Sequence, residues 1–488
     1  MKNSAVFFII GIISILIFQC SGKSEENLIR KNIIAGNYEI AQRLLLDLII
    51  ANQDSIDQDY IDSIKFEIER LDRIKLDFNL DSSQVLEKVR KYVPSAKDSS
   101  LRLWTQQNYL ESKIIEGKVK YFNHAVENLF RVHPELRMIK TKADSITTDQ
   151  RKIRKYVSFP LAMHINRVLS DGKKYKKKYL LPVTMHVTHT IEIEPNLLPK
   201  DEIVKCWIPY PLEIEKQQYN IQRITSNPHV HVIADNNNLQ RTIFMQAIAK
   251  PDTGITFMVK YEFTSTAIYN NIEADKVKVL SDTTEFSNYL KERPPHIVFP
   301  EPLIELSHRI VGNEKNPYLV AKKIFTWIDE NIDWTLCREY STIRSLALYP
   351  FFYKQGDAGV KTFLFMSLCR YNKIPARLVS GWQFQPPLKS LHDWCEIYLD
   401  PYGWVPVDVT YGMQNFPDDE RRYFYLGNID SYRLVFNRDY GTPFTPPKEF
   451  FRSDMIDNQR GELETASGNL YFDKWKWNMD FEIKSTYK

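Results

Sequence analysis

His392 and Asp408 are the residues from which a chemistry can be read. His392 lies in Leu391-His392-Asp393-Trp394, and Trp394, Glu396 and Tyr398 follow at every second position, the period of one strand face. Asp408 closes Tyr402-Gly403-Trp404-Val405-Pro406-Val407-Asp408. Two such runs joined by a short turn make a hairpin. If the loop covers residues 399–403, Trp404 pairs with Tyr398 and Asp408 with Trp394. Asp408 then lies diagonal to His392 on the same face, roughly 7 Å away at the backbone, within reach of a carboxylate–imidazole hydrogen bond. A loop one residue shorter turns Asp408 to the opposite face. An imidazole held by a carboxylate serves as general base to a nucleophile.

The nucleophile's place lies upstream. Gln355-Gly356-Asp357-Ala358-Gly359-Val360-Lys361 leads into an apolar helical run. Asp357 is a good N-cap, so residue 358 falls in the first turn of that helix. A thiol there would have its pKa lowered by the helix N-terminus and react as thiolate. The residue is Ala358, and a methyl group cannot attack a carbonyl. Cys395 is odd-spaced from His392 on one strand and points to the other face. Cys369 is on the right helix but roughly 16 Å along its axis. Both read as small buried hydrophobes. Cys337 stays open as a substitute, because its loop has no readable position.

The rest of the chain must position these groups. At 488 residues it is too long for one core, and 43% hydrophobic with 26% charged residues is the composition of a folded protein. A net charge of +4 is too small to imply a nucleic-acid partner. The sequence has no zinc-ligand spacing, no Gly-rich phosphate loop and no His-Glu-x-x-His, so neither a metal nor a cofactor is expected. Residues 1–20 read as a signal peptide: Lys2, an apolar run from Ala5 to Phe18, then Cys20 and a polar tether. The four other cysteines are too widely spaced for a disulfide framework.

A helical domain is expected over 21–172. It opens with a hairpin broken at Gly36-Asn37 and continues with helices near 60–78, 83–92 and 104–116. Asp171-Gly172 and the lysines that follow read as a solvated linker. Residues 179–270 change to period two and form an antiparallel β-sandwich, in which His186 and His189 fall on opposite strand faces. Helices resume near Pro300, and residues 285–480 form the last domain, completed by aromatic-rich edge strands at its C-terminal end. The fold class expected is therefore α+β and multidomain.

Four motifs in order resemble the core of the transglutaminase-like superfamily, a papain-related fold. They are Gly356-Asp357-Ala358-Gly359, Ile374-Pro375-Ala376-Arg377, His392-Asp393-Trp394 and the run from Tyr402 to Asp408. Arg293-Pro294-Pro295-His296, Arg338-Glu339-Tyr340-Ser341-Thr342-Ile343 and Gln459-Arg460-Gly461-Glu462 resemble segments of bacterial transglutaminase-like lipoproteins. The resemblance implies a cysteine at position 358, a general base at His392 and an orienting carboxylate at Asp408. It implies Cys20 as a lipidated first residue, which would place the chain in the cell envelope, anchored to a membrane. Three functions follow: a pseudoenzyme whose cleft binds a peptide, protein or glycopeptide; a Cys-His-Asp amidase, protease or acyltransferase captured as a Cys-to-Ala mutant; or a scaffold acting through its helical domain.

Overall fold

The computed structural model describes residues 23–51, 57–143, 159–385 and 389–486, so the signal segment and Cys20 lie outside the described residues. Antiparallel sheets and helices alternate through the chain, and it separates into two compact units. The first unit is Met1–Arg151 with Trp334–Arg344; the second is Lys152–Asp333 with Ser345–Lys488.

The first unit is mainly helical. α1 (Lys23–Ala35) and α2 (Tyr38–Ala51) form the hairpin, turning at Gly36. That turn needs glycine: φ is +81°, and an added Cβ would sit 1.9 Å from the carbonyl oxygen of Ile114. α3 (Gln58–Asp77) is capped by Asp57, and α4 (Ser82–Arg90) by an Asp81/Gln84 capping box. The helix expected over 104–116 is not there. α5 (Asp98–Gln106) ends early, and β1 (Ser112–Ile115) and β2 (Lys118–Tyr121) form a hairpin. Glu116 and Gly117 both have positive φ, the requirement of a tight hairpin turn, and Glu-Gly is a weak turn signal that reading missed. α6 (Ala125–Val132) and α7 (Pro134–Ala143) follow. Leu45, Leu71, Val85, Phe122 and Leu129 are buried in its core.

Trp334–Arg344 is gripped in this unit by buried charge. Arg338 pairs with Glu111 at 2.8 Å, and Arg344 with Glu67 at 2.9 Å. Glu67 also holds Arg70 at 2.6 Å, and Thr342 Oγ1 donates to Asp77 at 2.7 Å. Burial pushes the Glu67 carboxyl up, but Arg70 and Arg344 outweigh it and hold it down at about 2. Asp77 has no such ion pair among the described residues, so burial raises it to about 7 despite the Thr342 hydroxyl.

The second unit begins with α8 (Phe159–Tyr175). Asp171-Gly172 is thus the last turn of a helix and not a linker. Gly172 is there because Tyr269 packs on it: an added Cβ would meet the ring at 2.2 Å. β3 (Tyr179–Ile193), β4 (Ile203–Pro209), β5 (Gln218–Asn227), β6 (Val230–Ile233), β7 (Thr242–Ile248) and β8 (Ile255–Ile268) form the sandwich. His186, half-buried, pairs with Glu262 at 2.7 Å, while His189 is buried against Trp382.

α9 (Glu301–Val311), α10 (Pro317–Asn331, capped by Asn316) and α11 (Ala358–Tyr371) precede a third antiparallel sheet. It is built from β9 (Ala376–Gln383), β10 (Ser390–Leu399), β11 (Gly403–Val407) and β12 (Arg433–Asn437), in the order β11-β10-β9-β12. The final strands depart from expectation. β13 (Glu462–Thr465), β14 (Gly468–Leu470) and β15 (Lys476–Ser485) do not complete this third sheet. They join the sandwich, as β14-β13-β4-β7-β6 and β15-β3-β8-β5. The apolar faces explain it. Leu463, Trp475 and Met479 pack among Val187, Ile208 and Phe257, and Trp382, Phe384 and Phe436 of the third sheet share that core. Sandwich and third sheet are therefore one hydrophobic body.

Candidate active site

The β10–β11 hairpin has the register that its spacing predicts, but Leu399 and Gly403 also pair, so the loop is residues 400–402 and not 399–403. Tyr398 pairs with Trp404 and Cys395 with Val407, so Asp408 comes next, level with Trp394. His392 Nε2 lies 2.7 Å from Asp408 Oδ2, with both side chains buried. An ionised carboxylate only accepts, so this bond places the imidazole proton on Nε2 and the lone pair on Nδ1. Nδ1 has no hydrogen-bond partner among the described residues. The ring plane is held by aromatic neighbours: Trp394 stacks at 6.0 Å between centroids, and Tyr411 meets the ring edge-on at 5.5 Å. From behind, Gln459 Nε2 donates to the carbonyl of His392 at 3.0 Å and to Asp393 Oδ1 at 2.9 Å.

Asp408 is anchored by more than the histidine. Its Oδ1 accepts from the backbone N–H of Thr410 and of Tyr411, each at 3.0 Å. Its Oδ2 also accepts from Arg433 Nη1 at 2.7 Å. Arg433 in turn donates through Nε and Nη2 to Asp430 Oδ2, at 3.0 and 2.7 Å. All three charges are buried. Burial alone would push the Asp408 carboxyl up, but His392 and Arg433 reverse this and hold it well below the ordinary carboxylate range. For Arg433 the two carboxylates likewise outweigh burial and keep it firmly protonated. The aspartate is thus ionised whatever the state of the imidazole. Sequence reading missed Arg433 and Asp430. They lie 25 and 22 residues beyond Asp408, and only their i,i+3 spacing hints at a pair.

Ala358 is the first residue of α11, buried, with Asp357 as N-cap accepting from the N–H of Val360 at 3.3 Å. The helix packs on β9 and β10, the strand that carries His392. Cys369 and Cys395 are buried, and burial raises both thiols well above their usual range, away from thiolate character. Cys395 Sγ points to the carbonyl of Val407. Cys337 belongs to the first unit and is half-buried. Among the described residues no cluster of three or more His, Cys, Asp or Glu is arranged to hold a metal ion. The arrangement can accept a proton at His392 Nδ1 and stabilise the resulting imidazolium, but position 358 offers nothing to deprotonate.

Residues 304–409 match the model of the transglutaminase-like superfamily. No curated protein matches the chain. Among solved structures, the chain is similar to one named "Putative Cysteine Protease from Cytophaga hutchinsonii", at 15% identity, covering 64% of this chain and 94% of that one with a TM-score of 0.44. It is also similar to the periplasmic domain of TgpA from Pseudomonas aeruginosa, at 12% identity over 48% of this chain and 93% of that one, TM-score 0.25.

Proposed function

Since this chain carries a transglutaminase-like domain at residues 304–409, we propose that its cleft binds an acyl-bearing peptide, protein or glycopeptide and does not turn it over. The observation that carries this reading is a His392–Asp408 pair fully assembled on the strand against which the helix that begins at Ala358 packs. A buried charge network costs stability unless each member is matched, and here every member is matched although no nucleophile uses it. Without a thiol no acyl-enzyme can form, so a bound carbonyl would be held and released unchanged. Residence in the cell envelope, tethered through Cys20, belongs to the same proposal.

The test pairs binding with turnover. A peptide library equilibrated with the protein is expected to yield binders that are recovered intact. Ala358→Cys is expected to cleave or transfer the acyl group of those same peptides. If Ala358→Cys binds them and leaves them intact, the cleft does not present a carbonyl to position 358 and the proposal falls. The intact pair also fits a second reading, a thiol enzyme in which cysteine was replaced by alanine. The codon for residue 358 in the native gene separates the two.

A further inference from the structure

A pocket of about 280 Å³ opens in the second unit. Tyr318 and Lys322 of α10 line it, together with Asn271, Tyr423, Leu426 and Asn428. Its charges are already spent. Lys322 Nζ bonds Asp419 at 2.9 Å and lies 4.0 Å from the centre of the Tyr423 ring, and Glu420 is taken by Lys173 at 2.6 Å. An ionic ligand would have to break one of these pairs. What remains open is neutral. Asn428 is mostly buried and commits Oδ1 to the N–H of Asn270 at 2.7 Å, leaving its amide N–H groups without a partner among the described residues. The half-buried Tyr318 offers a ring face and a hydroxyl with no hydrogen bond among the described residues. A ring to stack on, an amide donor and a hydroxyl, in a space of this size with balanced charge, suit one neutral, polar, flat-faced ring.

We propose that this pocket binds an amide-bearing saccharide, its acetamido carbonyl accepting from Asn428 Nδ2 and its ring packed on Tyr318. The pocket and the His392–Asp408 site share a segment, since the carbonyl of Tyr425, between Tyr423 and Leu426, accepts from the backbone N–H of Asp408 at 2.9 Å. The experiment must therefore separate the two sites. N,N′-diacetylchitobiose titrated into the full chain by calorimetry is expected to saturate, with cellobiose at least about tenfold weaker. Asn428→Asp keeps the acceptor for Asn270 and removes the donor, and Tyr318→Leu removes the ring. Each is expected to weaken binding at least about tenfold, while His392→Ala leaves it unchanged. If Tyr318→Leu lowers the melting midpoint, Asn428→Asp alone decides. No saturation, equal binding of cellobiose, or a loss on His392→Ala with none on Asn428→Asp overturns the assignment.

Discussion

At the scale of single residues, Arg433 carries more of the site than any motif discloses. It bridges Asp408 and Asp430, all three within 2% of full burial. Replacing it with Leu leaves two buried carboxylates, one still facing His392 and the other stripped of its ion pair. Breaking a buried pair in this way costs about 3–5 kcal/mol. Urea unfolding of Arg433→Leu is expected to show that loss; a change below about 1 kcal/mol would mean the carboxylates find other partners or protonate at little cost. The same logic separates Arg433 from His392. Asp408 stays ionised through Arg433 even when the imidazole is neutral, so the histidine is free to take a proton without unmaking its anchor.

At the scale of elements, the β10–β11 hairpin sets the site. Its register puts His392 and Asp408 on one face, and strand periodicity makes that face sensitive to one residue. Inserting one glycine between Pro401 and Tyr402 is expected to turn Asp408 away and abolish the 2.7 Å bond, read by the disappearance of the downfield imidazole N–H resonance of His392. If that resonance survives the insertion, the hairpin does not set the pair. This much was legible beforehand, because alternation, Gly403 and the Asp357 cap are local signals. The β1–β2 hairpin was locally encoded too, but in an unusual Glu-Gly turn that a helical period concealed. The pairing of Leu463 with Cys206 and of Met479 with His189 was not legible. Those partners lie more than 250 residues apart, and only the shared core chooses between sheets with similar apolar faces. The Asp430–Arg433–Asp408 bridge is illegible for the same reason: its charges gain meaning only once β12 is laid beside β9.

At the scale of the whole molecule, the division into two units does not follow chain order, since Trp334–Arg344 belongs with the helices. Buried acids that bind this segment or its neighbours give the helical unit a pH window. Glu67 is held at about 2, so its stabilisation is complete above the ordinary glutamate range near 4 and lost as pH falls through 2. Asp77 is raised to about 7, so its contribution is complete below about 4 and lost as pH rises through 7. From these two carboxyls the helical unit is therefore expected to be most stable near pH 4, losing the Glu67 contribution below it and the Asp77 contribution progressively up to about pH 7. Urea midpoints followed by the fluorescence of Trp104 and Trp334, with the tryptophans of the second unit replaced by phenylalanine, measure this. Glu67→Gln should flatten the acid limb and Asp77→Asn the alkaline one. A profile unchanged by either would mean these carboxyls titrate alike in the folded and unfolded chain.

The proposed function rests on one claim, that the His392–Asp408 pair still serves position 358. The most direct measurement is the pH dependence of iodoacetamide alkylation of Ala358→Cys, with the rate of the Ala358 chain subtracted to remove Cys337. A cysteine at the start of α11, beside a working imidazole, should titrate below about pH 7, and His392→Ala should move that midpoint back up toward the ordinary thiol value near 8.5. A new thiol that titrates near 8.5 with or without His392 would contradict that claim.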